Sequence, residues 1–193
     1  MLKIIDISFK DSLKRAVRVL SDEGILVFPT DTVYGIGCLI NEKAIKKLYF
    51  LKHRPQNQPT AILFSKKIYT LLRSSIKSHI DIPANIHRDF RRGKTTLIFP
   101  TRQFEIDFPS MIIKDDKVGI RLPKDQWLED LIDRVGPIVT SSANRKDRKA
   151  PKNFQELDER IINEADLTIK TDKILSGKPS SVYDIENKSY IRI

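Results

Sequence analysis

Apolar residues come in short runs along this chain, separated by stretches with helical spacing. "ILVF" (Ile25–Phe28), "AILF" (Ala61–Phe64), "TLIF" (Thr96–Phe99), "VGIRL" (Val118–Leu122) and "IVTSS" (Ile138–Ser142) have the length and content of strands, as do "LTI" (Leu167–Ile169), "SVYDI" (Ser181–Ile185) and "YIRI" (Tyr190–Ile193). Between the runs, Leu13, Ala16, Val17 and Leu20 share one face over Asp11–Glu23, with Gly24 as a stop. Asn41 can cap a helix that turns Ala44, Ile45, Leu48 and Leu51 inward. Trp127, Leu128, Leu131, Ile132 and Val135 define another helix, and Phe154, Leu157, Ile161 and Ala165 a last one. Strands interleaved with helices predict an α/β fold. The alternation is imperfect, so a mixed sheet is expected rather than a purely parallel one.

Length adds that residues 1–193 form one domain, large enough to fold without a disulfide or a metal. The single cysteine, Cys38, excludes an internal disulfide and fits a reducing cytoplasm. No apolar run approaches the roughly 20 residues that span a bilayer, and the charged N-terminal stretch does not read as a signal peptide. Lys and Arg number 35 against 25 Asp and Glu, a net charge of +10. That excess suits nucleotides or nucleic acid, but solvated lysine-rich faces would produce it equally well.

Chemistry concentrates at three places. In "FPTDTVYGIG" (Phe28–Gly37), Thr30, Asp31, Thr32 and Tyr34 crowd the end of a buried strand, more polar groups than a turn requires. In "LKHRPQNQP" (Leu51–Pro59), Pro55 pushes Arg54 toward an extended conformation and ends the helix near Lys52. Lys52 and Arg54 would then share one side, a pairing that suits a phosphate chain or simply complements the helix dipole. In "IVTSSAN", an extended chain puts Thr140, Ser142 and Asn144 on one face at a strand's carboxyl end, either as a ligand floor or as a self-bonded turn. "GKT" (Gly93–Thr95) is not a phosphate-binding P-loop, because Arg88 stands where its first glycine belongs and a strand follows. The histidines show no metal-ligand spacing with Cys38, and no nucleophile motif is present, so covalent catalysis is not expected.

Taken together, "PTDTVYGIG", "LKHRP", "VGIRLP", "SSAN" and "PSSV…IR" resemble, in order and spacing, the YrdC-like family of L-threonylcarbamoyladenylate synthases, in its short form (TsaC type). The resemblance covers Ser12 to Ile193. It implies a twisted mixed sheet with flanking helices and a large concave basic face. It also implies synthesis of threonylcarbamoyl-AMP and pyrophosphate from L-threonine, bicarbonate and ATP with Mg²⁺. The product would pass to threonylcarbamoyl-transfer proteins for tRNA modification in the cytoplasm, with tRNA itself a further candidate partner.

By resemblance, Thr32, Arg121, Thr140 and Ser181 fall on threonine-side positions, Arg121 as partner of the carboxylate. Lys52, Arg54, Gln58, Thr96, Lys117, Ser142, Asn144 and Arg192 fall on ATP-side positions, Lys52 and Arg54 positioning the polyphosphate, with no protein ligand for a metal. The chain departs from the family pattern at "RRGKTT" (Arg91–Thr96), at "RKD" (Arg145–Asp147) and at Gln58. The alternative is a non-catalytic RNA-binding protein of the same fold, although aromatics make up only 8% of the chain and mostly lie in core-like strands.

Overall fold

The computed structural model describes residues 3–53, 55, 60–74, 81–145 and 148–193. In chain order the first half carries β1 (Ile4–Asp6), α1 (Ser12–Ser21), β2 (Leu26–Pro29), β3 (Tyr34–Leu39), α2 (Glu42–Leu51), β4 (Ala61–Leu63), α3 (Lys66–Ser74) and α4 (Ala84–Arg91). The second half carries β5 (Thr95–Pro100), β6 (Lys117–Arg121), α5 (Gln126–Val135), β7 (Ile138–Ser142), α6 (Glu159–Glu164), β8 (Leu167–Lys170), β9 (Ser181–Asp184) and β10 (Ser189–Arg192). The strands form one sheet in the order β1-β8-β2-β3-β7-β4-β6-β5-β9-β10. β1 and β2 run parallel to β8, β4 parallel to β6 and β5 parallel to β9, while the remaining pairs are antiparallel. The mixed α/β sheet with flanking helices is therefore present.

Both faces carry an apolar cluster. On one, Ala44, Ile45 and Leu48 of α2 and Ile86 and Phe90 of α4 join Ile36, Ile62, Leu97 and Ile120. On the other, Ala16 and Leu20 of α1 and Leu128, Leu131 and Ile132 of α5 cover Leu26, Phe28, Leu63 and Ile138. Burying a leucine or isoleucine fully is worth ~1.5–3 kcal/mol, so these helices are held mainly by their apolar faces. Side chains alternate along a strand, so Ala61 and Thr140, two residues from Leu63 and Ile138, lie on the face that α1 and α5 cover. These two line an open cavity instead. The site is thus the stretch of sheet that the two helices leave bare.

The expected strands appear within about two residues of their predicted ends, and Asn41 caps α2 by accepting from the Ala44 backbone N–H at 2.8 Å. Two expectations need correction, and strand β3 was not expected. The helix expected across Phe154–Ala165 is split into a 3₁₀ turn, Phe154–Glu156, and α6. Asn153 and Asp158 each accept a backbone N–H, from Glu156 and Arg160, and two caps start two separate turns. "YGIGCL" is strand β3, which no apolar run announced. Its glycines are there for clearance, since a Cβ on Gly37 would lie 2.6 Å from the Val139 carbonyl oxygen. Lys52 is not extended: it is a helical C-cap, and His53 follows with φ 48°, the left-handed closure that ends many helices. Arg54 and Gln58 lie outside the described residues. Helices α3 and α4 and strand β1 were not anticipated.

Candidate functional site

The polar cluster after Phe28 resolves into four separate tasks. Thr30 closes the β2–β3 loop: its hydroxyl donates to Val33 O at 2.7 Å and accepts from the backbone N–H groups of Thr32 and Val33. The Tyr34 hydroxyl, fully buried, accepts from Thr171 N at 3.0 Å, and burial raises its pKa. Asp31 pairs with Arg121 at 2.8 Å. The Thr32 hydroxyl lies 3.0 Å from that of Thr30 and lines the cavity, while the Thr32 carbonyl accepts from Gly177 N at 2.8 Å.

That cavity measures about 440 Å³. Small residues keep its floor open: Gly119 of β6 sits between Ala61 of β4 and Ile98 of β5, all three lining it. A second cross-strand row, Arg121, Thr96, Val182 and Arg192, forms one wall. Thr140, Ser141 and Ser142 of β7 form another, and Thr60 tethers that strand by donating to Thr140 O. Lys114 also reaches the cavity, from a tight turn in which Asp115 and Asp116 both take positive φ. The lining therefore combines hydroxyls, two guanidiniums and an ammonium over a glycine and alanine floor.

Arg121 is only 6% exposed. Burial lowers its pKa, and Asp31 opposes that shift. Arg192 donates from Nε and Nη2 to Ser180 O at 3.1 and 2.7 Å, and burial lowers its pKa too. Thr32, Arg121, Thr140, Thr96, Ser142 and Arg192 thus meet at one cavity, as expected of the positions singled out in the sequence.

Four described positions do not: Ser181, Lys117, and, at the exit of β7, Lys52 and Asn144. Ser181 faces the opposite side of β9, where its hydroxyl lies 2.9 Å from that of Thr95; its neighbour Ser180 lines the cavity and pairs with Thr96 at 2.9 Å. A strand turns over at each residue, so a one-residue offset moves a side chain to the other face. Lys117 is absent from the lining, because its ammonium is held by Asp184 at 2.9 Å and Glu186 at 2.8 Å. Ser180, Thr60 and Lys114 line the cavity but were not singled out as site positions, and Asp31 was singled out only as part of the polar cluster after Phe28. Of these, only Ser180 carried a usable signal, its period-two spacing with Val182.

The Lys117 cluster has a pH signature. Hydrogen bonds from Lys117 and then Arg102 pull the Glu186 pKa from 4.5 to about 2. A depressed carboxylate stabilises the fold above its unfolded pKa and loses that contribution as pH falls through the folded one. The urea midpoint is therefore expected to drop between about pH 4.5 and 2, and Lys117→Met is expected to flatten that part of the profile. An unchanged profile in the variant would remove the network from the pH response.

Beside the cavity lies a second hollow of about 920 Å³, bordered by Arg145, Arg148, Lys149, Lys152 and Lys178 and by the carboxylates of Glu156 and Asp158, the latter 3.5 Å from Arg148. Pro179 borders both. The partition is the exit of β7. Ser142 faces the cavity and Asn144 the second hollow, where the Asn144 amide also closes its own turn onto Arg145 O and Arg148 O. Lys52, 8% exposed, donates its ammonium to Ser142 O and to Asn144 O, the latter at 2.6 Å. The cation at the end of α2 thus meets the strand exit through two backbone carbonyls and lines neither hollow. Cys38 is buried in the apolar core, and burial pushes its thiol up to about 12, which suits packing rather than reactivity. Among the described residues no helix is long and apolar enough to cross a membrane, and no group of three His, Cys, Asp or Glu could hold a metal ion.

A Methanocaldococcus jannaschii protein, provisionally named a threonylcarbamoyl-AMP synthase, is 28% identical over 201 residues, covering all of this chain and 91% of its own. The Pseudomonas aeruginosa threonylcarbamoyl-AMP synthase is 25% identical over 182 residues, covering 92% and 94%. The solved structure of Pyrococcus abyssi Sua5 with L-threonine shares the fold at TM-score 0.78 and 24% identity, over 95% of this chain and 54% of that one. The chain thus spans about half the length of that protein. The sequence model of the Sua5/YciO/YrdC family, described as telomere recombination, matches residues 18–193. Matched from within its first helix to Ile193, the chain belongs to the Sua5/YciO/YrdC family.

Proposed function

We propose that this chain is an L-threonylcarbamoyladenylate synthase, a nucleotidyltransferase that makes threonylcarbamoyl-AMP and pyrophosphate from L-threonine, bicarbonate and ATP. The observation that carries the reading is the pairing, in one 440 Å³ cavity, of the Thr32 hydroxyl with the buried Arg121 guanidinium. A small hydroxy amino acid asks for both groups. Relatives named as this synthase, one matching over nearly the whole of both chains, support it.

Threonine's amine adds to carbon dioxide derived from bicarbonate, with loss of water, to give a carbamate. A carbamate oxygen then attacks the α-phosphorus of ATP, and the bond to the β-phosphate bridge breaks to release pyrophosphate. No protein nucleophile enters, so the chain contributes positioning and charge. Arg121 would hold the carboxylate, while Thr32 and Thr140 face the hydroxyl and amine. Ser180 would close the same end. Arg192, Lys114 and Thr96 border the side toward the nucleotide, and Lys52 firms the strand exit beside which the phosphates run. The basic hollow shared through Pro179 offers the polyphosphate a positive field. The described residues present hydroxyls and cations but no carboxylate cage, so magnesium would arrive on the phosphates of ATP, where it neutralises the departing oxygens. The product would pass to threonylcarbamoyl-transfer proteins acting on tRNA in the cytoplasm. The RNA-binding alternative is not favoured, because most rings, among them Phe28, Phe64, Phe90 and Phe99, are buried in the core, leaving Phe9, Phe50 and Tyr190 exposed among the described residues and none of them lining the cavity.

Incubating the purified chain with ATP, Mg²⁺, threonine and bicarbonate is expected to produce threonylcarbamoyl-AMP by mass spectrometry, and its absence overturns the proposal. In the same assay, Thr32→Val is expected to raise the KM for threonine ~3- to 10-fold, the value of one buried hydrogen bond, with that for ATP unchanged. An unchanged threonine KM removes Thr32 from the pocket's recognition set.

A further inference from the structure

Asp31 sits in the β2–β3 loop, yet the hydrogen bonds that close that loop do not use its carboxylate. Its Oδ1 instead accepts from Arg121 Nη2 at 2.8 Å, across a chain separation of 90 residues. Gly93 O takes Nε and Nη2 of the same guanidinium, each at 3.3 Å. One edge of the fork is thus held twice, while Nη1 has no protein partner among the described residues. The surroundings are built closely around the pair. Gly93 takes φ +75°, and a Cβ there would lie 2.8 Å from Asp31 Oδ2 and 3.0 Å from Leu122 O. This accounts for the glycine inside "RRGKTT", which departs from the family pattern around it.

A guanidinium is planar, so two acceptors on one edge fix both its position and the plane in which the other edge points. A counter-charge also lets the cation stay buried, which an unpaired guanidinium would resist. We propose that Asp31 is the positioning residue of the threonine site: it holds Nη2 of Arg121, beside the Gly93 carbonyl on Nε and Nη2, so that Nη1 is presented to the substrate carboxylate. Asp31 acts through Arg121 and does not touch the substrate. The proposal rests on the reading of this cavity as a threonine site. It differs from a placeholder role, in which Asp31 would occupy the guanidinium and leave when threonine arrives, because neither acceptor takes Nη1.

The test measures threonine binding by calorimetry, together with steady-state pyrophosphate release, for wild type, Asp31→Asn, Asp31→Glu, Arg121→Gln and the Asp31→Asn/Arg121→Gln double variant. Asp31→Asn is expected to raise the threonine Kd and KM about tenfold, leaving kcat and the ATP KM within about twofold. Asp31→Glu keeps the anion and is expected to recover most of the loss. In the Arg121→Gln background the Asp31 change is expected to add nothing, since the group it orients is gone. Threonine binding that is unchanged or tighter in Asp31→Asn overturns the proposal, as does a fully additive loss in the double variant. Should the amide variant not fold, Asp31→Glu decides: retained affinity supports the role, and a natively stable variant with affinity lost overturns it. Absence of threonine binding to wild type would instead remove the threonine reading itself, and this role with it.

Discussion

Arg121→Met is expected to weaken both the fold and the use of threonine. The guanidinium is buried at 6% exposure, and its ion pair with Asp31 is the charge balance of that corner of the sheet. Removing one member of a buried pair leaves the other charged and unpaired, which costs ~3–5 kcal/mol. Against the ~5–15 kcal/mol of a whole domain, that loss should lower the urea midpoint clearly while leaving the m-value in place. Methionine fills comparable space, so the loss reports charge rather than a cavity. Independently, loss of a charge-assisted hydrogen bond to the substrate carboxylate, ~1.5–3 kcal/mol, should raise the threonine KM roughly 10- to 100-fold, with the ATP KM little changed. A variant with the wild-type midpoint and wild-type threonine KM would show that Arg121 is neither a strut nor a ligand.

Lys52→Met is expected to act on the nucleotide side. The ammonium of Lys52 spans Ser142 O and Asn144 O at the exit of β7, and through them it sets the partition between the cavity and the basic hollow. Methionine keeps the packing of the stem at the end of α2 but donates nothing to those carbonyls. With the charged donor removed, at ~1.5–3 kcal/mol, kcat/KM for ATP should fall roughly 10- to 100-fold at saturating threonine. Threonine binding measured without ATP should stay near wild type, because the Arg121 wall lies on different strands. Wild-type pyrophosphate release from Lys52→Met would dissociate this cation from ATP use altogether.

Much of the fold was legible because central strands of a mixed sheet are apolar on both faces. The runs at Ile25, Ala61, Thr96, Val118 and Ile138 all became strands that bury such faces. Asn41 was legible for a different reason: a cap is a local bond to a residue three positions on. Strand β3 was not, since Gly35 and Gly37 carry no strand preference and are required only because Phe28, Thr140 and Val139 press against them. The split of Phe154–Ala165 turned on two capping side chains competing within one apolar period. At the site, hydroxyls on β7 could be placed from alternation, whereas Ser180 and Ser181 differ by one position and therefore by a whole face of the sheet.

The chain's own order of residues determined which segments would be strands, where α2 would begin, and that hydroxyls would gather at the ends of β2 and β7. It could not assign work among Thr30, Asp31, Thr32 and Tyr34, which are near neighbours along the backbone. That division came from partners brought in by the sheet, Arg121 lying 90 residues from Asp31 and Thr171 lying 137 from Tyr34. Local preference acts over a few residues, while burial and charge pairing act on whatever the strand order places alongside. The roles within the cluster were therefore decided by strand neighbours, not by chain neighbours.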